Sequence, residues 1–163
     1  AELGLVAFVL IAADSGVGKS SLCRAGVLPL IADGALGGSR AYAIASMVPG
    51  RKPLSALCAA VAAALSCDEA ALQTDLEQRP DSFARTLRKL LSTGRGLFLF
   101  LDQMEELVTL ASPEEARIVG EALGSLLAKL PGLRLLLTAR SDFLGRIATV
   151  PGIGAMPIAR RRD

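Results

Sequence analysis

Residues 13–21 read Ala13-Asp14-Ser15-Gly16-Val17-Gly18-Lys19-Ser20-Ser21, the phosphate-loop pattern G-x-x-x-x-G-K-[ST] with Ala13 where the first glycine usually stands. Each residue type in it has a physical task. Gly16 and Gly18 let the backbone turn tightly, so that its N–H groups point inward at phosphate oxygens. The helix that follows brings the partial positive charge of its N-terminus to the same place. Lys19 carries an ammonium toward β and γ phosphates, the Ser20 hydroxyl is of the kind that ligates Mg²⁺, and Ser21 is within reach of an α-phosphate. Ser15 and Val17 complete the loop. Such a loop needs a buried strand before it and a helix after it, and the flanking sequence supplies both. Residues 3–11 are almost continuously apolar, as in a strand buried on both faces, and residues 19–28 have helical character.

Working outward, three more apolar runs of strand length alternate with helical stretches. They cover residues 41–48, closed by Pro49-Gly50, residues 97–101, and residues 133–138, entered through Pro131-Gly132. Leu54, Leu57, Val61 and Leu65 recur at helical spacing after Pro53. Asp81 is placed to cap a helix bearing Phe83, Leu87, Leu90 and Leu91. Ser112-Pro113-Glu114-Glu115 combines a cap, a proline at the first helical position and acids at the positive end of the dipole, which predicts a helix to about residue 129. Ser141 is a candidate cap for a last short helix carrying Phe143, Leu144 and Ile147. Residues 34–38 and 92–96 read as surface turns. Strand and helix alternating four times predict an α/β fold: a doubly wound parallel sheet with helices on both faces, in three layers.

Composition closes off several chemistries. Across 163 residues there is no His, which excludes Ser-His-Asp hydrolases and His-ligated metal sites. The three Cys are Cys23, Cys58 and Cys67; they lack C-x-x-C spacing and read as reduced thiols of a cytoplasmic protein. A net charge of +2 is too mild to argue for nucleic acid or an anionic membrane, and Arg160, Arg161 and Arg162 read as a solvated end. No apolar run approaches the ~20 residues needed to cross a bilayer. With 52% apolar and 21% charged residues, the length suits one domain with a sizeable core.

A phosphate loop that hydrolyses its nucleotide needs an acid at a neighbouring strand tip to hold Mg²⁺ through water. Leu97-Phe98-Leu99-Phe100-Leu101-Asp102 places Asp102 at the C-terminal end of an apolar strand, where open α/β sheets bind ligands. Glu105, three residues on, is the first candidate to take a proton from attacking water, and Glu106 the second. The alternative is a plain strand-to-helix turn whose acids cap a helix. Gln103 stands where many phosphate-loop ATPases keep a catalytic Glu, so binding is better supported than hydrolysis. After the fourth strand, Arg140 either faces a γ-phosphate or pairs with Asp142 at the surface.

Four blocks together resemble the P-loop domain of the STAND ATPases (signal transduction ATPases with numerous domains), in the bacterial "novel STAND" branch. They are Ser15-Gly16-Val17-Gly18-Lys19-Ser20-Ser21-Leu22 with Arg24-Ala25-Gly26-Val27-Leu28-Pro29; Val48-Pro49-Gly50-Arg51-Lys52-Pro53-Leu54; Leu101-Asp102-Gln103-Met104-Glu105-Glu106-Leu107, similar to D-Q-F-E-E-L; and Leu137-Thr138-Ala139-Arg140-Ser141-Asp142-Phe143-Leu144, similar to T-x-R-x-D-F. Ala13 for Gly and Met104 for Phe are the departures, and residues 155–159 are a poor fifth strand. The resemblance implies ATP with Mg²⁺ as ligands, Asp102 as the magnesium acid, Glu105 as the base and Arg140 as the γ-phosphate sensor. It also implies a longer bacterial signalling or defence protein of which residues 1–163 are the P-loop domain. By the same resemblance a helical lid, a winged helix and sensor repeats are expected beyond Asp163, and a homo-oligomer is a further expectation. The expected activity is that of a slowly hydrolysing Mg-dependent ATPase switch. A non-hydrolysing nucleotide-binding scaffold and, further off, a small-molecule kinase are the competing readings.

Overall fold

In the computed structural model, residues 8–14, 16, 18–38, 40–91, 94–126 and 130–156 are described. Four parallel strands, β1 (Phe8–Ala13), β2 (Ala41–Met47), β3 (Arg95–Leu101) and β4 (Leu133–Arg140), form one sheet in the order β1-β4-β3-β2. The chain leaves β1 for the far edge of the sheet and then works back strand by strand until β4 lies beside β1. Outward and return connections therefore cover opposite faces, which gives the three-layer α/β arrangement.

Alternation along the strands shows the two faces directly. Leu97, Leu99 and Leu101 of β3 and Leu133, Leu135 and Leu137 of β4 enter the larger core, with α3 (Pro53–Leu65), α4 (Glu69–Gln78), α5 (Phe83–Leu90) and α7 (Pro113–Ser125). Phe98, Phe100 and Leu136 point the other way, onto Cys23 and Ile31 of the helical segment after the loop. That segment is α1 (Lys19–Leu22), a π-helical stretch (Cys23–Val27) and α2 (Leu28–Ala32). The widening has a cause: Pro29 has no N–H to offer the carbonyl of Ala25, and the N–H of Leu28 reaches back five residues to Cys23.

Several expectations are corrected. β1 is less buried than its apolar run suggests, with Val9 45% exposed, because among the described residues it pairs on one side only; residues 3–7 lie outside them. Asp81 caps nothing: Pro80–Ser82 forms a 3-10 turn before α5. The acid at that junction is Asp75, which accepts from Ser82 Oγ and Thr86 Oγ1 at 3.3 and 3.1 Å. Ser141 starts a 3-10 turn rather than capping α8 (Leu144–Ile147), and its hydroxyl donates to Asp14 Oδ1 at 2.8 Å. The 92–96 turn is shorter than read, since Arg95 and Gly96 already belong to β3; Ser92 and Thr93 lie outside the described residues. Helix α4 has no counterpart in the sequence reading. Ser112 does cap α7, accepting from the Glu115 N–H at 3.2 Å, with residues 127–129 outside the description. Residues 153–155 form a 3-10 turn, and 157–159 of the doubtful fifth strand are not described.

Candidate functional site

The C-terminal ends of β1, β4 and β3 lie side by side, with Ala13 in register with Arg140 and Leu101 with Leu137. The chain therefore brings the loop, the acid strand tip and the fourth strand's polar end to one edge, where α/β sheets bind ligands. A cavity of about 250 Å³ opens there, lined by Gly16, Gly18, Lys19, Ser20, Ser21, Gln103, Glu105, Thr138 and Arg140.

Within the loop, Gly16 and Gly18 have φ of 85° and 79°, left-handed values that explain why glycine is needed at both. Ala13 has no such φ; it is the last residue of β1, so its methyl group sits on extended backbone and does not crowd the turn. Lys19 Nζ curls back to donate to the carbonyls of Ala13 and Asp14, both at 3.1 Å. Ser15 and Val17 lie outside the described residues.

The strand-tip acid is close to the loop. Ser20 Oγ donates to Asp102 Oδ1 at 2.8 Å across 82 residues of sequence. Asp102 is only 1% exposed and is held from several sides. Thr138 Oγ1 donates to the same oxygen, and Arg24 Nη2 faces Oδ2 at 3.4 Å. Thr138, fully buried, also accepts from the Gln103 N–H at 3.0 Å, and its carbonyl accepts from the Met104 N–H at 2.9 Å. One threonine thus orients the acid and fixes the turn after it. That turn is unusual: Gln103 has φ 58°, left-handed for a residue with a side chain. Beyond it, α6 (Glu106–Thr109) begins without any side-chain cap, so the acids here are not helix caps.

The two candidate bases part company. Glu105 lines the cavity, and its Oε2 is buried without a hydrogen-bond partner among the described residues. Glu106 Oε2 instead accepts from the Gly50 N–H at 2.9 Å and does not line the cavity, so it ties the Pro49-Gly50 turn to the acid loop. Arg140 is paired with Asp142 and also reaches the cavity. It forks onto Asp142 through Nε and Nη2 at 3.1 and 2.8 Å, with its guanidinium over the Phe143 ring. Thr138 and Arg24 had no site role in the sequence reading. Thr138 was signalled only as a polar residue ending an apolar strand, and nothing local marks Arg24 as a partner of Asp102.

The Novel STAND NTPase 1 family model matches residues 1–161 of the chain. No curated protein matches it. Among solved structures, the ORC2 protein of Aeropyrum pernix in its ADPNP–ADP complexes is similar at TM-score 0.52 and 13% identity, over 89% of this chain and 36% of that one. Its ADP form is similar at TM-score 0.51 and 12% identity, over 87% of this chain and 40% of that one. The chain thus spans well under half the length of these structures, and the likeness is one of fold. Among the described residues no helix is long and apolar enough to cross a membrane.

Proposed function

The chain belongs to the Novel STAND NTPase 1 family, and on that premise we propose that this nucleotide-binding NTPase domain is the ATP-driven switch of a larger bacterial signalling or defence protein, hydrolysing ATP slowly. The observation that carries the reading is the Ser20–Asp102 hydrogen bond, which joins the phosphate loop to a buried strand-tip acid at the cavity.

The residues suit a magnesium nucleotide. The Ser20 hydroxyl and the Asp102 carboxylate are hard oxygens of the kind Mg²⁺ prefers. Mg²⁺ commonly takes only one or two protein ligands beside phosphates and water. Ser20 and Asp102 would hold it; when bound, it supplies charge neutralisation at the β and γ phosphates. The N–H groups of Gly16, Gly18, Lys19, Ser20 and Ser21, residues that line the cavity, would cradle the phosphates. Lys19 exchanges the carbonyls of Ala13 and Asp14 for phosphate oxygens, and Arg140 meets the γ-phosphoryl group. Glu105 Oε2, buried and without a hydrogen-bond partner among the described residues, is a suitable acceptor for the proton of a water that attacks the γ-phosphorus as the bond to the leaving ADP oxygen breaks. Asp102 has no neighbouring acid, since Gln103 follows it. That substitution favours slow turnover and, as a second reading, a scaffold that binds without hydrolysing.

Two variants test this together. Lys19→Ala is expected to weaken ATP binding at least tenfold by fluorescence titration, and equal affinity would defeat the nucleotide-site reading. Glu105→Gln is expected to retain binding while hydrolysis falls about 10²-fold or more. No turnover by the unaltered protein with its other domains present selects the scaffold. Turnover that persists in Glu105→Gln removes Glu105 from the base role. The lid, winged helix, repeat sensor and homo-oligomer that would complete the switch belong to this proposal.

A further inference from the structure

Arg24 lies in the widened π-helical turn, one residue beyond Cys23, and its side chain spans three groups at once. Nη1 donates to Ser46 Oγ at 3.2 Å, Nη2 faces Asp102 Oδ2 at 3.4 Å, and the guanidinium lies 5.3 Å from the centre of the Phe100 ring. Ser46 is on β2 and Phe100 on β3, so the side chain reaches across two strands to the acid. The oxygens of Asp102 are divided accordingly. Both hydroxyl donors, Ser20 and Thr138, go to Oδ1, and the cation goes to Oδ2. A carboxylate that is 1% exposed requires a positive partner, and among the described residues Arg24 is the only cation paired with it.

We propose that Arg24 is a built-in counter-ion, which occupies the free oxygen of Asp102 when magnesium is away and sets the magnesium concentration at which nucleotide is gripped. This rests on Asp102 being the magnesium acid. A hydrated dication bound through Asp102 must use the lone pairs that the two hydroxyls leave, and these are mostly on Oδ2, the oxygen Arg24 faces. Two cations contending for one oxygen repel each other. The guanidinium has somewhere to go: its side chain is 47% exposed, and its contact with Asp102 is long. Held by a ring face and one hydroxyl, it can withdraw along β2 without breaking a buried pair on its own side. Arg24 is in this sense a positioning residue, acting on the ligand through Asp102.

The test is a titration of a fluorescent ATP analogue with MgCl₂ on the chain and on Arg24→Met, Arg24→Lys and Ser46→Ala. Arg24→Met is expected to lower the magnesium concentration at half-saturation roughly three- to tenfold. Arg24→Lys, which keeps the charge, stays within about twofold of the unaltered chain. Ser46→Ala loosens the guanidinium without touching its charge and shifts the midpoint the same way, about twofold; this keeps the test open if Arg24→Met melts early. A general structural role would alter nucleotide affinity equally in MgCl₂ and in EDTA, whereas the counter-ion role moves only the magnesium midpoint. An unchanged or raised midpoint in Arg24→Met overturns the inference by itself. An Asp102→Asn protein with an unaltered midpoint overturns the assignment of Asp102, and the role of Arg24 with it.

Discussion

Replacing Thr138 by valine exchanges one hydroxyl for a methyl at a fully buried position and so isolates the bond that orients Asp102. The hydroxyl donates to the carboxylate and accepts from the Gln103 N–H. A hydrogen bond to a charged group contributes about 1.5–3 kcal/mol. The second bond is part-buried, and losing it adds about 0.5 kcal/mol, the low end for a net hydrogen bond. Burying the extra methyl at this fully enclosed position returns up to about 0.8 kcal/mol. The net destabilisation is therefore about 1–2.5 kcal/mol. It falls short of the ~3–5 kcal/mol of an orphaned buried charge, since Ser20 and Arg24 remain on Asp102. For a chain of this size that corresponds to a fall in Tm of roughly 3–10 °C. Urea unfolding of Thr138→Val, Asp102→Asn and the double variant gives the coupling directly, and about 1 kcal/mol or more is expected. A coupling near zero, or a Thr138→Val protein within about 0.5 kcal/mol of the original, would refute the claim that Thr138 holds the acid.

Three other outcomes follow from the same structure. Asp142→Asn releases Arg140 from a solvent-screened pair worth about 0.2–1 kcal/mol, so ATP affinity by calorimetry is expected to rise up to about fivefold and ADP affinity less; unchanged or weaker ATP binding counts against a γ-phosphate role for Arg140. Burial, and then the negative charges of Glu69 and Glu77, push the Cys58 thiol up to about 12, above its ordinary value near 8.5 in an unfolded chain. The neutral thiol's contribution to stability is therefore complete below about pH 8.5 and lost as pH rises from there toward 12. Tm should fall across that window. Iodoacetamide should modify the half-buried Cys67 before Cys58 or Cys23, read by peptide mass spectrometry, and equal labelling of Cys58 and Cys67 in folded protein would show that Cys58 is not shielded.

What the sequence made legible depends on how local the signal is. The apolar runs of β3 and β4 gave strands because both faces are covered, and the loop motif fixed its own geometry through Gly16 and Gly18. Asp102 was readable as a strand-tip acid. Helix α4 escaped because only Leu72 and Leu76 of its ten residues are buried, too few for a helical stripe; the signal available was Asp68, whose side chain accepts from the Ala71 N–H. The separate fates of Glu105 and Glu106 were not readable, because they are decided by the left-handed turn at Gln103 and by Gly50, which lies 56 residues away. Arg24 and Thr138 show the same limit. Each acquires its partner only when β2, β3 and β4 are set side by side.

The left-handed backbone at Gln103 also bears on attempts to redesign this edge of the sheet. A side chain at this φ costs roughly 1 kcal/mol or more relative to glycine, so backbone shape governs the position before side-chain chemistry does. Asparagine and glycine should be accepted there, while valine and isoleucine would oppose the turn that directs Glu105 inward. Installing a second acid beside Asp102 would therefore place it on a bend rather than on a regular strand end. The spacing of a paired-acid ATPase could be copied in this way without reproducing its geometry.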